Sequence, residues 1–267
     1  MTAITTAITT AISAIIILLL LIGVCPTASQ DEIGLDNLGV SDSIAGANVN
    51  TTTFLTHGDI APNLQRNAVP CTRRGCKWPK WGRRVYVPVT ISSRFTSQER
   101  RTIIRALVSF HRSTCIRFMW KRSWQKTYLH FFSGSGCWSY LGRQRGRQLV
   151  SLRKNGCVRH GIVQHEVLHA LGFHHEQVRS DRDAHVRILF QNIISGFERN
   201  FQKVNTNNLG TPYDFDSIMH YSKFAFSKNR QPTIVAKRDP GRMFGLSSSM
   251  TRNDIARVNA LYRCRRY

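Results

Sequence analysis

Three histidines and a glutamate within eleven residues are the side chains of this sequence best placed to do chemistry. His165 and His169 are four residues apart, so on a helix both imidazoles project from one face and can meet a single metal ion. Gly172 can adopt the positive φ that ends a helix, which brings His175 round as a third nitrogen ligand. Three neutral imidazoles leave coordination positions open, the pattern of a catalytic zinc site. We therefore expect one Zn²⁺ per chain.

Glu166 lies beside the predicted metal face, where its carboxylate reaches a zinc-activated water instead of the metal. Zinc lowers the pKa of such a water to about 7, so Glu166 can accept its proton as the water attacks a polarised peptide carbonyl. Phosphoryl chemistry is disfavoured, because it uses hard divalent ions and carboxylate ligands. The alternative is a helix with purely structural histidines, although this spacing arises by chance with a probability on the order of 10⁻⁵.

The elements that must position these residues follow from patterning. Thr96 with Glu99, and Thr251 with Asp254, have the spacing of capping boxes and predict the starts of two helices. Apolar alternation and short apolar runs predict strands over residues 85–91, 129–132 and 148–152. The sequence therefore indicates mixed helix and sheet on both sides of the histidine motif.

Composition restricts the class of protein. With 42% hydrophobic residues in 267 the chain can bury a core, which excludes wholesale disorder. Lys and Arg number 38 against 15 acids, which excludes an acidic-tail protein. Residues 11–25 form an uncharged apolar run that is too short to span a bilayer and is typical of a signal peptide. An uncleaved anchor is the competing interpretation.

Three regions follow. Residues 1–29 read as the signal peptide, with Thr27 and Ser29 before the cleavage point. Residues 30–66 are rich in Gly, Ser, Asn and Thr and read as a pro-segment or linker that does not pack as a domain. Residues 67–267 carry 37 Lys and Arg against ten acids and read as the catalytic domain. Outside the leader six cysteines remain, an even set that predicts three disulfides among 15 possible pairings.

Several motifs together resemble one protease family. The sequence Ser217-Ile218-Met219-His220-Tyr221 and the extended histidine motif are similar to the metzincin clan, and GFHHEQ at 172–177 with RSDRD at 179–183 resembles the astacin family. The resemblance extends over residues 67–267. It implies that His165, His169 and His175 hold zinc, that Glu166 is the general base and that Met219 forms an apolar floor. Tyr221 would be a fifth ligand that swings away to stabilise the oxyanion.

The astacin resemblance also implies an architecture. The expected fold is α+β in two lobes, with a mixed sheet and long helices in the N-terminal lobe. The C-terminal lobe would be less regular, closed by the final helix and stapled by disulfides. Substrate would lie extended in the cleft between the lobes and add a strand to a sheet edge, for which residues 129–133 are our candidate.

A latent precursor is a further implication of the resemblance. Phe54 to Ile60 is similar to a pro-segment motif in which the carboxylate of Asp59 reaches the zinc and displaces the water, although a simple Gly-Asp turn is the alternative. Cleavage after Arg66 by a trypsin-like protease would release Asp59, and the new N-terminus near Asn67 would move towards Glu176. Export through secretory granules fits this scheme.

The family pattern implies particular disulfides and substrates. Cys115 would pair with Cys264 and Cys137 with Cys157, while Cys71 and Cys76 would form the extra pair of six-cysteine astacins such as fish hatching enzymes. This implies an egg-envelope glycoprotein substrate, with gut, kidney or immune-tissue astacins as the competing branch. Gly245-Leu246-Ser247 replaces the Gly-Gln pair that precedes a pocket arginine in many astacins, which removes the basis for expecting their preference for acidic residues just after the cut.

The excess of cations allows a second class of function. The basic catalytic domain predicts attraction to acidic protein, glycan or microbial surfaces that weakens as salt rises, unless the charge is merely a solvated face. A cationic secreted binding or defence protein on a protease scaffold is therefore the alternative to a protease. A signal peptide disfavours a nucleic-acid partner, and no stable membrane insertion is expected.

Overall fold

The computed structural model describes residues 39–62 and 76–264. The predicted signal peptide, the predicted cleavage point at Arg66, Asn67 and Cys71 lie outside these residues. Within the two described ranges no helix is long and apolar enough to cross a membrane. The boundaries expected at residues 29 and 66 therefore stay predictions.

The described chain contains five α-helical segments. They are α1 (Val40–Asn48), α2 (Ser97–Ser113), the short α3 (Lys154–Cys157), α4 (His160–Leu171) and α5 (Arg252–Leu261). Both predicted capping boxes are confirmed: the Thr96 and Thr251 hydroxyls accept hydrogen bonds from the backbone N–H groups of Glu99 and Asp254, whose carboxylates accept in return. Each box satisfies backbone donors that the first helical turn would otherwise leave without partners.

A seven-stranded mixed sheet forms the framework of the N-terminal lobe. Its strands are β1 (Ile60–Ala61), β2 (Lys80–Trp81), β3 (Arg84–Ile91), β4 (Ile116–Trp120), β5 (Tyr128–Phe132), β6 (Cys137–Tyr140) and β7 (Arg147–Leu152). The order is β1-β6-β7-β5-β3-β2, with β4 also paired to β3. The strands β3, β5 and β7 that patterning predicted are confirmed, whereas the shorter ones carry too few residues for a clear alternation.

The expected substrate edge is wrong. Residues 129–133 overlap β5, which has β3 on one side and β7 on the other, so its backbone donors and acceptors are already paired. Apart from the two-residue β1, the edge strand at this end of the sheet is β6, whose Ser139 and Tyr140 pair in parallel with Ile60 and Ala61 of β1. Residues 60–61, in the predicted pro-segment, therefore cover β6.

The helices α2 and α4 pack together within a large apolar core, and the side chains of α4 are buried from Gly161 to Leu171. A second core, built from residues between Val186 and Phe244, supports the less regular C-terminal lobe. There the antiparallel pair β8 (Val186–Ile188) and β9 (Ile234–Ala236) accompanies four short 3₁₀ turns. The expected two-lobed α+β architecture is confirmed.

Disulfides join distant parts of this fold. The structure contains bonds between Cys115 and Cys264 and between Cys137 and Cys157. Cys76 is also disulfide-bonded, and its expected partner Cys71 lies outside the described residues.

One part of the predicted pro-segment packs more closely than its composition predicts. Val40, Ile44 and Ala47 of α1 are buried against the core around α4. The Asn48 side chain, at the end of α1, donates to the carbonyl of Cys137 at 2.7 Å and accepts from its N–H at 2.8 Å. Residues 39–62 therefore pack as part of the folded unit, a departure from the linker expected for this region.

Candidate metal centre

The chain reverses direction directly after α4. Gly172 has φ +110°, and its N–H donates to the carbonyls of Leu168 and His169. The N–H of Phe173 donates to Leu168 O at 3.0 Å, which completes the hydrogen bonding at the helix end. The reversal brings His175 back beside α4, as the sequence predicts.

Three imidazoles meet at one point inside the molecule. The Nε2 atom of His165 lies 3.1 Å from that of His169 and 3.2 Å from that of His175. All three side chains are buried. Together with the Asp59 carboxylate they form a group whose ligand atoms lie within 4.8 Å of one another.

Backbone carbonyls orient two of these rings. His165 Nδ1 lies 2.8 Å from Ile218 O, and His169 Nδ1 lies 2.7 Å from Phe173 O. A carbonyl oxygen can only accept, so each Nδ1 carries the proton and each Nε2 presents a lone pair to the centre. Burial lowers the pKa of His175 to about 3, so this ring is neutral at pH 7.

The donor set fits zinc. Nitrogen lone pairs that face one another at 3.1–3.2 Å repel unless a cation lies between them. A tetrahedral zinc ion with bonds of about 2.0–2.1 Å holds its nitrogen ligands roughly 3.3 Å apart, close to the separation found here. His165, His169 and His175 are therefore suited to hold one Zn²⁺.

An acidic side chain from the predicted pro-segment completes the cluster. Asp59 Oδ2 lies 3.1 Å from His165 Nε2 and 3.2 Å from His175 Nε2, and Oδ1 lies 3.3 Å from His169 Nε2. Burial opposes ionisation of this carboxyl, but the adjacent His175, His169 and His165 together hold its pKa well below the usual range. The carboxylate is thus an anion directed at the position a metal ion would take.

A tight turn positions Asp59. Thr56 and Ile60 exchange two backbone hydrogen bonds of 2.8 and 3.0 Å, and the carbonyl of Asp59 accepts from Ser139 of β6 at 3.1 Å. Within the turn Gly58 has φ +86°, and a Cβ there would lie 2.8 Å from the Tyr221 hydroxyl. A side chain at position 58 would therefore be strained and obstructed at once.

Glu166 is buried beside the cluster with neither carboxylate oxygen hydrogen-bonded among the described residues. Burial raises the pKa of this carboxyl well above its usual range, and the charge of Asp59 raises it further. A buried carboxyl with open hydrogen-bonding capacity is suited to exchange a proton with a water molecule or substrate.

Tyr221 lies at the cluster but bonds elsewhere. Its ring centroid is 4.8 Å from that of His175, while its hydroxyl donates to the backbone carbonyl of His57. Burial raises the pKa of the phenol well above its usual range, with a further contribution from Asp59, so the hydroxyl keeps its proton. The backbone of His57, in the predicted pro-segment, therefore holds the Tyr221 hydroxyl, and the role of Tyr221 as a metal ligand stays a prediction.

The loop beneath the histidines is tied to the last helix. Met219 is buried in the core, and its carbonyl accepts from the N–H of Glu176 at 2.8 Å. Asp254 accepts from Ser217 Oγ at 2.6 Å and from Ile218 N at 3.1 Å, in addition to capping α5. Sequence reasoning identified Asp254 only as a capping residue, because nothing in its local pattern reveals the second contact.

Glu176 is the centre of a buried ion network that sequence reasoning missed. Arg257 makes two charged hydrogen bonds to its carboxylate, and Arg179 adds another at 3.2 Å. The backbone N–H of Asp214 also donates to it at 2.8 Å. This carboxylate borders a cavity of about 70 Å³ lined by residues 172–176, 179, 205–209, 257 and 261.

Comparison with known proteins agrees with this geometry. Residues 74–263 match the family model described as Astacin, a peptidase family. The chain is 42% identical over 241 residues to low choriolytic enzyme of Oryzias latipes, covering 89% of each chain. It is 43% identical over 234 residues to high choriolytic enzyme 1 of the same fish, covering 87% of this chain and 86% of that protein. The solved structure of high choriolytic enzyme 1, described as a hatching enzyme zinc-protease, superposes on this chain with a TM-score of 0.71. The two sequences are 44% identical, and the match covers 74% of this chain and 100% of that chain.

Proposed function

Because the chain belongs to the astacin family of zinc metalloendopeptidases, we propose that it is exported as a latent precursor and hydrolyses extracellular proteins once its pro-segment is cut. The observation that carries the proposal is the Asp59 carboxylate at the meeting point of three histidine Nε2 atoms. An anion from the pro-segment and the ligands of a catalytic metal share one buried position.

His165, His169 and His175 would hold the zinc. Bound there, zinc supplies Lewis acidity that polarises a peptide carbonyl and promotes ionisation of water. Glu166 accepts the proton of the attacking water and returns it to the leaving amine, a role supported by its unpaired and buried carboxylate. Tyr221, once free of His57, would donate to the developing oxyanion.

Latency follows from the same geometry. The Asp59 carboxylate excludes water and substrate from the open coordination position, while the 56–60 turn holds it against the edge strand β6. Tyr221 is held by the same segment. One loop therefore blocks the metal, the oxyanion donor and the substrate edge together.

Activation would begin with cleavage after Arg66 by a trypsin-like protease, because Arg66 suits such an enzyme and follows the inhibitory turn. The new N-terminus near Asn67 would then move towards Glu176. The buried Glu176 carboxylate and the cavity beside it support this step, since an α-ammonium group could share the charge that Arg257 and Arg179 now neutralise.

The named relatives indicate the substrate class. Two of them are choriolytic enzymes, so we propose structural glycoproteins of an egg envelope as substrates. The alternative, a cationic secreted binding or defence protein, would not require Glu166 to be buried beside the histidines. Loss of the Gly-Gln pair at Gly245-Leu246 leaves the preferred residue after the cut to be measured.

A peptide-library digest tests the proposal. Protein cleaved after Arg66 is compared with and without a chelator, beside Glu166→Ala and the control Glu198→Ala, whose carboxylate only accepts from the N–H of Gly196. We expect the parent and the Glu198→Ala control to cleave peptides, and Glu166→Ala and the chelated samples not to do so. Adding Zn²⁺ to the chelated parent and control should restore cleavage. Chelator-resistant cleavage, or full activity of Glu166→Ala, would rule the mechanism out.

A further inference from the structure

Two exposed tryptophans and three cations share one loop far along the chain from the metal centre. Trp120 ends β4 and Trp124 lies in the following turn, with 55% and 68% of their surfaces exposed. Lys121 and Arg122 lie between the two tryptophans in the sequence, and Lys126 follows two residues after Trp124. We call these five residues the Trp-cation surface. Large aromatic rings that remain in water are characteristic of binding surfaces, where they give contact area at low entropic cost.

Backbone and side-chain hydrogen bonds make this loop rigid. The N–H of Gln125 donates to Arg122 O at 3.1 Å, while the N–H of Arg122 donates to Gln125 Oε1 at 2.8 Å. The N–H of Lys121 donates to Val89 O of β3 at 3.0 Å, which fixes the loop to the sheet. Trp124 therefore projects from a closed turn, so a ligand would meet an ordered surface.

The cations of this surface have no acidic partners in the part of the chain the structure describes. Lys121 lies 5.1 Å from the centre of the Tyr128 ring, and Arg122 lies 5.3 Å from that of Trp124. Residues 76–160 contain 19 Lys and Arg but a single acid, Glu99, which caps α2. Positive potential over this lobe is therefore uncompensated and favours an anionic ligand.

Rings and cations together define the ligand. Indole faces stack on flat apolar surfaces, while Lys and Arg bind sulfate or carboxylate groups. A sulfated or carboxylated polysaccharide offers both in each repeat, since its pyranose rings have apolar C–H faces. We propose that the Trp-cation surface binds an anionic glycan.

Two other polyanions are less suited. Single-stranded nucleic acid also stacks on aromatic rings, but the disulfides Cys115–Cys264 and Cys137–Cys157 indicate an oxidising compartment outside the cell, where glycans are the abundant anionic polymers. An anionic membrane needs a continuous apolar face to insert, whereas here charged residues separate the two tryptophans.

The surface is separate from the cleft. Trp120 pairs with Val89 of β3, whereas the edge strand β6 that carries the pro-segment lies beyond β7 and β5. Glycan binding would therefore not compete with Asp59 or with a peptide on β6. It would hold both the precursor and the active enzyme on a glycan-bearing substrate. This inference rests on the proposed function only for the extracellular location of the protein.

Binding of a heparin oligosaccharide to the intact precursor tests the proposal. The double variant Trp120→Ala/Trp124→Ala is compared with Trp81→Ala, a tryptophan with 71% exposure on β2. The triple variant Lys121→Ala/Arg122→Ala/Lys126→Ala is compared with Lys228→Ala/Arg230→Ala/Lys237→Ala, which removes three exposed cations elsewhere. Because all these side chains are solvent-accessible, unchanged thermal unfolding should show that each variant folds.

We expect each Trp-cation variant to weaken heparin binding about tenfold or more, and each control to change it less than about twofold. If both triple cation variants lose heparin affinity equally and the tryptophan variant loses none, diffuse positive charge would account for the binding and the proposal would be overturned. Tighter, tryptophan-dependent binding of a single-stranded oligonucleotide or of phosphatidylserine vesicles would also overturn it. Since the inactive precursor is measured, this result does not depend on whether the protease mechanism holds.

Discussion

Asp59 Oδ2 lies 3.1 Å from His165 Nε2, although the two residues are 106 positions apart in the sequence. His165 belongs to a buried helix and Asp59 to a turn held on the edge of the sheet. Their proximity joins the candidate metal ligands to the predicted pro-segment.

Removing the carboxylate of Asp59 should activate the precursor. We expect Asp59→Ala, in an Arg66→Gln background that prevents cleavage, to hydrolyse a peptide substrate, because nothing then fills the open metal position. Hydrolysis is measured after zinc loading. Asp42→Asn in the same background is the control, since Asp42 contacts Ser222 and not the histidines. A latent Asp59→Ala precursor would count against the switch.

Adding one methyl group at Gly58 should loosen the same contact. In Gly58→Ala the new Cβ meets the Tyr221 hydroxyl at 2.8 Å, and φ +86° costs a residue with a side chain about 1–3 kcal/mol. We expect the Gly58→Ala precursor to hydrolyse peptide about tenfold or more faster than the parent precursor does. Gly46→Ala is the matched control. Gly46 lies in α1, and a Cβ added there would meet no atom within 4 Å, so this variant should stay latent. Equal latency of both variants would contradict this account.

Docking of α1 should depend on pH through Asp42. Burial raises the pKa of this carboxyl, although the hydrogen bond from Ser222 opposes the shift. The docked state therefore binds a proton more tightly than the undocked one. Protonated Asp42 therefore stabilises the docked state fully at pH values below the ordinary carboxyl pKa. This stabilisation is lost as pH rises through the raised pKa of the docked state.

Hydrogen exchange of the α1 amides measures this effect. We expect Asp42→Asn to protect α1 more than the parent does at pH 7, with the difference shrinking towards pH 4 because asparagine keeps the acceptor without the charge. Identical protection in the two proteins across this range would show that the Asp42 carboxyl does not control docking.

Asp254 should stabilise the fold more than an ordinary helix cap. Asp254→Ala removes a cap and leaves Ser217 Oγ and Ile218 N without their buried partner, so we expect a loss of about 3 kcal/mol in the free energy of unfolding. Glu99→Ala removes the same kind of cap from α2 at a more exposed position and should cost about 1 kcal/mol. Equal losses in denaturant unfolding would show that the tie to the loop adds nothing.

Local spacing accounts for what sequence reasoning found. The histidine spacing on α4, the helix end at Gly172 and the two capping boxes depend on contacts within a few residues, so the sequence states them directly. The strands β3, β5 and β7 were predictable for the same reason. Helix α1 was not, because only three apolar side chains bury it and their partners lie far along the chain.

By itself, the sequence identified the three histidines that meet at one point, the glutamate beside them and the sign of the chain's net charge. Tertiary structure alone decided which strand residues 60–61 cover, how Arg257 and Arg179 neutralise Glu176, and how Asp254 holds the loop under the histidines. The physical reason is the distance along the sequence over which each kind of interaction acts. Helical periodicity and capping act between neighbours, whereas strand order and buried ion pairs join residues whose separation in sequence carries no trace of their contact.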